Sequence, residues 1–297
     1  MPAGREDMTG TTKIRLAIPN KGRIAQPIRD LVEKSGIHLR ETGERKLVAK
    51  TVDPDIEVLF ARPIDIPEYV ANGAADIGIT GMDMVHERGS VVEELLDLKM
   101  GRATLVVAVP EDAPINGVED LDGARIATEF PNITRAYFET FGVEVTIVPV
   151  GGACEATPYL GIADAIVDLT STGTTLQTNR MRILGEVLST NTEVIANPVS
   201  LEQKREKIQE VVLALDSVVR AKGQCYIMMN VNRDALPEVE RILPGLGGPT
   251  VMDVASHEGL VAVHAVVREE CVYQLITQLK RSGARDILVM SIERMIP

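Results

Sequence analysis

The sequence predicts an α/β protein with two lobes and a smaller C-terminal domain of the ferredoxin-like βαββαβ kind. Strand-like and helix-like apolar patterns alternate from residue 14 onward. They fall into two runs, one on each side of a polar, turn-rich stretch that starts at residue 110. After residue 223 the order changes to strand, helix, strand, strand, helix, strand.

Ile14, Leu16 and Ile18 alternate, then Pro19-Asn20-Lys21-Gly22-Arg23 breaks the pattern. Ile24, Ile28, Leu31 and Val32 follow at helical spacing. Residues 56–60 read as a short apolar strand, and residues 64–72 as a helix that tolerates Pro67 only in its first turn. Residues 76–80, closed by Gly81, and residues 103–109 read as further strands. The stretch 110–123 is expected to cross between lobes. Beyond it, strands are expected at 124–128, 143–150 and 162–169. Between them lie a helix capped by Asn132 and reaching 141, and a short helix at 153–160. Residues 201–222 carry the longest helical pattern, with Ile208, Val211, Val212, Leu215, Val218 and Val219 in one stripe and Gly223 as its stop.

In the C-terminal part, strands are expected at 225–231, 251–255, 260–267 and 286–294. A helix capped by Asp234 runs to 243, and another spans 269–282 and ends at Gly283. Met228 and Met229 read as filling the core of this domain.

The 297 residues carry 31 Lys+Arg against 43 Asp+Glu, a formal net charge of -12. That balance argues against non-specific binding to DNA or anionic membranes, while allowing a local basic pocket. Aromatic residues are 3% with no Trp, too few for stacking platforms that hold single-stranded nucleic acid. Cys154, Cys225 and Cys271 are dispersed, which fits a reducing cytosol better than disulfides or structural zinc. Residues 1–12 hold no apolar run, and the longest apolar stretches, such as 105–109, are strand-sized. A membrane helix needs ~20 apolar residues. The expectation is a soluble cytoplasmic protein. His38, His86, His257 and His264 fit no metal motif, and G-x-S-x-G is absent.

The strongest local pattern is Asp168-Leu169-Thr170-Ser171-Thr172-Gly173-Thr174-Thr175, between an expected strand and a helix start at Leu176. Hydroxyls and open backbone N–H groups suit a phosphate dianion; they also suit a capped polar turn. No G-x-x-x-x-G-K-[ST] occurs, so this is not a Walker loop. Asp168, at the mouth of the loop, can accept hydrogen bonds from ribose hydroxyls. Asp164 lies on the same strand face but ~13 Å away, too far for one ribose to bridge both; its other reading is an ion pair.

Lys21 and Arg23 flank Gly22 just beyond a strand, where open α/β sheets bind ligands. They suit pyrophosphate oxygens, or else are two solvated cations. Arg62 with Asp65, and Gly81 with Asp83, follow strands that end at the same edge. Residues 128–132 and Gly151-Gly152 hold the matching edge of the other lobe. Convergence of these loops on one cleft is a stronger signal than any of them alone.

Taken together, these pieces resemble ATP phosphoribosyltransferase in its long form, the first enzyme of histidine biosynthesis. The resemblance rests on PNKGR (19–23), RPIDIPEYV (62–70), DIGITGMD (76–83), RIATEFPNITRAYF (125–138) and ADAIVDLTSTGTTL (163–176). GLGGPTV (245–251) and SGARDILVMSIERMI (282–296) extend it to the C-terminus. It implies a catalytic core like the type II periplasmic binding proteins, with 13–109 and about 190–222 in one lobe and 110–189 in the other. It implies that 223–297 is a regulatory domain binding L-histidine as feedback inhibitor, and that the protein forms homo-oligomers, dimers and hexamers.

By the same resemblance, Thr170, Ser171, Thr172, Gly173, Thr174 and Thr175 would hold the 5′-phosphate of phosphoribosyl pyrophosphate. Asp168, and second to it Asp164, would hold the ribose. Lys21, Arg23 and Arg62 would face pyrophosphate or the phosphates of ATP, with Gly81 and Asp83 on the nucleotide side. Lys21, Arg23 and Asp168 are the residues expected in catalysis, and Asn232, Thr250 and Asp286 those expected around histidine. Mg²⁺ is the expected cofactor, held through substrate oxygens and water rather than by an assigned protein ligand. Many phosphoribosyltransferases carry two adjacent acids before the phosphate loop; here the second position is Leu169, which sets this chain apart from that class. The rival readings are a binding protein that closes on a small ligand, and a phosphoribosyltransferase for another base. Two phosphate-type loops favour the enzyme over a simple amino-acid binder.

Overall fold

The computed structural model describes residues 13–40, 47–243, 248–255 and 259–296. His257 and residues 245–247 of the GLGGPTV motif lie outside the described residues. The described chain divides into two compact units, one reaching Val212 without residues 34–36, the other running from Leu213 onward.

The first unit opens with β1 (Ile14–Pro19), α1 (Ala25–Lys34), β2 (Val48–Lys50), β3 (Ile56–Ala61), α2 (Ile66–Ala71) and β4 (Ile77–Gly81). It continues through α3 (Met82–Arg88), β5 (Glu93–Asp97), β6 (Ala103–Pro110), β7 (Arg125–Thr128), α4 (Pro131–Thr140) and β8 (Thr146–Pro149). Then come β9 (Ala165–Thr170), α5 (Thr174–Thr178), β10 (Met181–Thr190), β11 (Thr192–Ala196) and α6 (Pro198–Gln203). The boundary between units falls inside α7 (Arg205–Ala221).

Two sheets organise this unit. The first has the order β2-β3-β1-β4-β11-β5. β1 runs parallel to both β3 and β4, so the loops after all three leave from one edge. The strands of its centre are largely buried on both faces; every residue of β4 is buried, and in β1 only Arg15 is exposed. Gly78 lies where α2 packs closest, and a Cβ there would meet Ile66 Cγ2 at 2.6 Å and Val70 Cγ2 at 2.8 Å. The second sheet has the order β10-β6-β9-β7-β8. One of its faces packs Leu105, Val107, Phe130 and Phe138; the other packs Val106, Ile166, Cys154 and Leu176.

β6 belongs to the second sheet, paired with β9 and β10, although residues 103–109 were assigned to the first lobe. The crossing therefore lies just before β6, and residues 110–123 form a turn and a short 3-10 segment (Val118–Leu121) on the second lobe's own core. The return crossing falls between β10 and β11, since β11 pairs back with β4 in the first sheet. The two crossings are themselves joined: the Leu98 N–H donates to Thr192 O, and the Thr192 N–H to Met100 O. β10 escaped the sequence pattern because two register shifts, at Ile183/Gly185 and Glu186/Leu188, break its period of two.

Other expectations also shift. The helix over 64–72 starts as a 3-10 turn at Pro63–Asp65 before α2. The helix over 153–160 shrinks to a 3-10 turn at Cys154–Ala156. The long pattern from 201 breaks at Lys204, whose ammonium reaches Lys13 O and Asp76 Oδ1, each at 2.8 Å. Asn132 is not a cap, because Pro131 already occupies the first helical position of α4.

The second unit holds β12 (Gln224–Asn232), α8 (Leu236–Ile242), β13 (Thr250–Asp253), β14 (Leu260–Arg268), α9 (Val272–Arg281) and β15 (Arg285–Ser291). The sheet order is β13-β14-β12-β15 with antiparallel neighbours, the ferredoxin-like arrangement. Both helices cover one face through Val239, Leu275 and Leu279, over Ile227, Met229, Val261 and Val263. Met229 is in this core as expected, whereas Met228 alternates to the other face. Asp234 does not cap α8; it sits in a 3-10 turn ahead of it.

Candidate functional site

The first lobe brings its loops together because β1, β3 and β4 are parallel. The loop after β1 starts with the Asn20 N–H donating to Ala61 O, which ties it to the end of β3. Lys21 is exposed and makes no ion pair or hydrogen bond with any described residue. Arg62 is engaged elsewhere: its Nε and Nη2 donate to Asp65 at 2.6 and 3.0 Å, and Arg88 shares that carboxylate at 3.3 Å. The Asp65 carboxylate keeps the Arg62 guanidinium above its ordinary range.

Asp83 enters α3 buried. Its own N–H donates to Thr190 Oγ1 at 2.9 Å, and the Thr190 hydroxyl donates back to Asp83 Oδ1 at 3.0 Å. Thr190 ends β10, so this exchange joins the two lobes. Burial raises the Asp83 carboxyl, opposed by the Thr190 hydroxyl and the neighbouring N–H groups.

The hydroxyl loop follows β9 and leads into α5. Thr170 Oγ1 accepts the Gly173 N–H at 2.9 Å, closing the turn, and the Thr172 and Thr174 hydroxyls pair at 2.9 Å. Ser171 Oγ accepts from Arg23 Nη1 at 3.0 Å, across the cleft from the first lobe. Asp168 shares its strand face with Ile166, above Cys154. Burial pushes its carboxyl up to about 6, helped by Glu155 and Glu129 and opposed by the Leu169 N–H. The same surroundings push the Cys154 thiol up to about 12, which keeps it from acting as a thiolate.

A cavity of about 300 Å³ opens between the lobes, lined by Arg23, Gly81, Asp83, Leu169, Thr170 and Thr190 among others. Ile24, Pro63, Met84 and Ala103 make much of its wall apolar. A second cavity, of about 460 Å³, adjoins it through Ala103, Thr170 and Thr190 and is lined by Arg102, Thr104, Ser171 and Ser189. Arg102, Ser189 and Thr190 were missed in the sequence because they belong to a crossing and to the bulged strand, and Thr104 because it pairs with Ser189 of that strand. Asp168 lines neither cavity; its neighbour Leu169 faces the smaller one.

Asp164 is not part of this site. Its carboxylate accepts from Arg125 N, Nε and Nη2 at 2.9, 3.1 and 2.9 Å. Both residues stand at the starts of parallel strands, at the edge opposite the loops. The Arg125 guanidinium holds the Asp164 carboxyl below its ordinary range. In the second unit the expected histidine residues share the helix-free face without converging. Thr250 pairs with His264 and His264 with Met228, which leaves Thr250 roughly 16 Å from Asn232 at the end of β12. Asp286 accepts from Asn230 Nδ2 at 2.9 Å.

The sequence model for ATP phosphoribosyltransferase matches residues 62–217, and that for the HisG C-terminal domain matches residues 221–294. The ATP phosphoribosyltransferase of Methanocella arvoryzae is 54% identical over 283 residues, 95% of this chain and 99% of its own. That of Methanosarcina mazei is 52% identical over 289 residues, 96% of this chain and 100% of its own. Among solved structures, a chain of the ATP phosphoribosyl transferase (HisG:HisZ) complex from Thermotoga maritima aligns with a TM-score of 0.64 at 34% identity. That alignment covers 70% of this chain and 98% of the other. With its core and its C-terminal part both matched, and with relatives about half identical over nearly its whole length, the chain belongs to the ATP phosphoribosyltransferase family.

Proposed function

We propose that the protein joins the anomeric carbon of phosphoribosyl pyrophosphate to N1 of ATP and releases pyrophosphate, the first step of histidine biosynthesis. The observation that carries this reading is the meeting of Arg23 and Ser171 at 3.0 Å, a basic loop from one lobe against a hydroxyl loop from the other. Two phosphate-bearing substrates need two such loops facing one reacting centre.

The adenine N1 lone pair forms the new N1–C1′ bond while the C1′–O bond breaks and its electron pair leaves with pyrophosphate. N1 needs no base to begin, so catalysis falls to positioning and electrostatics. The Ser171–Thr175 loop would take the 5′-phosphate through its hydroxyls and N–H groups. Asp168 would orient the ribose and, once ionised, favour positive charge at C1′. Lys21 and Arg23 would stabilise the departing negative charge, Arg23 exchanging Ser171 for phosphate oxygens. Arg62 would reach phosphate only by leaving Asp65. The apolar wall of the smaller cavity suits a purine, with Gly81 and Asp83 at its edge.

Among the described residues no three His, Cys, Asp or Glu side chains form a metal-holding group. Mg²⁺ would be carried in on substrate phosphates and would supply charge neutralisation at the leaving pyrophosphate, beside Lys21 and Arg23. The C-terminal domain would bind L-histidine through Asn232, Thr250 and Asp286 and favour a less active arrangement of a homo-oligomer, a dimer or hexamer. The separation of these residues within one copy is in keeping with a site shared between copies. A cytoplasmic location, where both substrates are made, completes the reading. No described helix is long and apolar enough to cross a membrane.

The test is pyrophosphate release with ATP, phosphoribosyl pyrophosphate and Mg²⁺, with and without L-histidine. Release that needs both substrates and falls with histidine is expected. Release that persists when ATP is replaced by another base points to a different phosphoribosyltransferase, and no release from folded protein points to a binding protein.

A further inference from the structure

α4 begins without a cap of its own. Phe130 precedes it and offers no side-chain acceptor, while Pro131 fills the first position. The next N–H groups of the helix, those of Asn132 and Ile133, are satisfied from the other lobe. Glu87, in the last turn of α3, receives the Asn132 N–H at 3.1 Å on each carboxylate oxygen and the Ile133 N–H at 3.1 Å. In return, Asn132 Nδ2 donates to Glu87 O at 2.9 Å. The helix ends are thus exchanged: the carboxylate meets the positive end of α4, and an amide meets the carbonyl end of α3. Glu87 is buried, with a relative exposure of 6%. The local cap expected from Asn132 is thus replaced by a carboxylate from the other lobe.

α3 touches the second lobe at two further places on the same side. Asp83 binds Thr190, and Met84 packs against the core that holds Leu105 and Phe138. α3 follows β4 of the first sheet without a loop between them. Its hold on the second lobe therefore transmits the orientation of one sheet to the other.

We infer that Glu87, with Asn132 as its counterpart, is a positioning residue for the reaction proposed above. It clasps the second lobe onto α3 so that the hydroxyl loop stays opposite Arg23. This inference rests on the proposed reaction only for its catalytic consequence. The mechanical part rests on the capping geometry alone. Opening the cleft about the crossings strips α4 of its cap and leaves a buried carboxylate unpaired, so the clasp biases the lobes toward closure before any ligand arrives.

The test combines a distance with a rate. Spin labels at Lys50 and Thr146, exposed positions on the edge strands β2 and β8, report lobe separation by pulsed electron resonance. Cys271 is replaced by Ser in all samples, and the labelled chain is diluted with unlabelled protein. Glu87→Ala is expected to broaden the distribution toward longer distances and to lower kcat/KM by roughly tenfold or more. Glu87→Gln keeps an acceptor oxygen and is expected to fall between Ala and the unsubstituted protein in both measures. Asn132→Ala, which keeps the backbone donors, is expected to shift the distribution in the same direction by less. An unchanged distribution in folded Glu87→Ala overturns the clasp, as does a Gln variant no closer to the parent than Ala. A shifted distribution in a protein that releases no pyrophosphate upholds the clasp and overturns the reaction instead.

Discussion

Asp168 is the residue whose chemistry and stability pull in opposite directions. Its carboxyl moves from an ordinary 3.8 to about 6, chiefly through burial. Folding thus favours the protonated form. The associated stability is fully present below pH 3.8 and is lost as pH rises toward about 6. At pH 7.5 Asp168→Asn should therefore be more stable than the parent by about 1–2 kcal/mol after allowance for partial exposure, read as a higher unfolding temperature, with the gain fading near pH 4. The same variant should lose roughly a hundredfold in kcat/KM. In the parent, kcat/KM for phosphoribosyl pyrophosphate should fall as pH drops below about 6, since only the ionised carboxylate supports charge at C1′. A pH–rate profile without that limb removes Asp168 from the chemistry. Asp164 gives the contrasting case. Paired with Arg125 at the far edge of the sheet, it should tolerate Asp164→Asn with unchanged KM for both substrates.

The chemistry of single residues was more legible in the sequence than their company. The hydroxyl loop and the basic loop announce themselves by composition at strand ends, and the structure brings Arg23 to Ser171. The partner of Asp164 was hidden because the ion pair joins two neighbouring parallel strands, and the apolar pattern of each does not tell which strands pair. Its partner lies 39 residues away in sequence.

Among elements, the parallel strands of the first sheet and the βαββαβ run were readable because their apolar periods are clean. β6 was found but assigned to the wrong sheet, since a buried strand looks alike in either. β10 was not found at all, because its two register shifts erase the alternation. β2 and β5 are short strands at the two ends of their sheet, with weak apolar patterns. The join of β4 to α2 makes a sharp prediction at this scale. Gly78→Ala puts a Cβ within 2.6 Å of Ile66 Cγ2 and 2.8 Å of Val70 Cγ2, both on fully buried side chains. Overpacking of this kind costs about 1–3 kcal/mol, to be read as a lower unfolding midpoint in denaturant with little change in its slope.

For the whole molecule, the second unit's own hydrophobic core predicts that the proposed histidine inhibition can be uncoupled from the proposed reaction. Asp286 stands on the helix-free face of its own sheet, held by Asn230. Asp286→Ala should leave uninhibited pyrophosphate release unchanged and raise the L-histidine concentration needed for half inhibition by roughly tenfold or more. Equal sensitivity in parent and variant would take Asp286 out of the regulatory site.

The paired crossings have a mechanical consequence. Leu98 and Met100 are tied to Thr192 by backbone hydrogen bonds, so the two straps behave as one narrow ribbon. A ribbon bends readily across its flat and resists shear between its strands. Gly101 sits in this ribbon with φ 66°, and a Cβ there would come within 2.4 Å of Thr192 Oγ1, so a larger residue would prise the straps apart. Motion between the sheets is thereby steered toward one arc, like a book on its spine. Along such an arc the groups farthest from the spine travel most, and the depth of the cleft becomes a scale on which early and late contacts with a ligand are ordered.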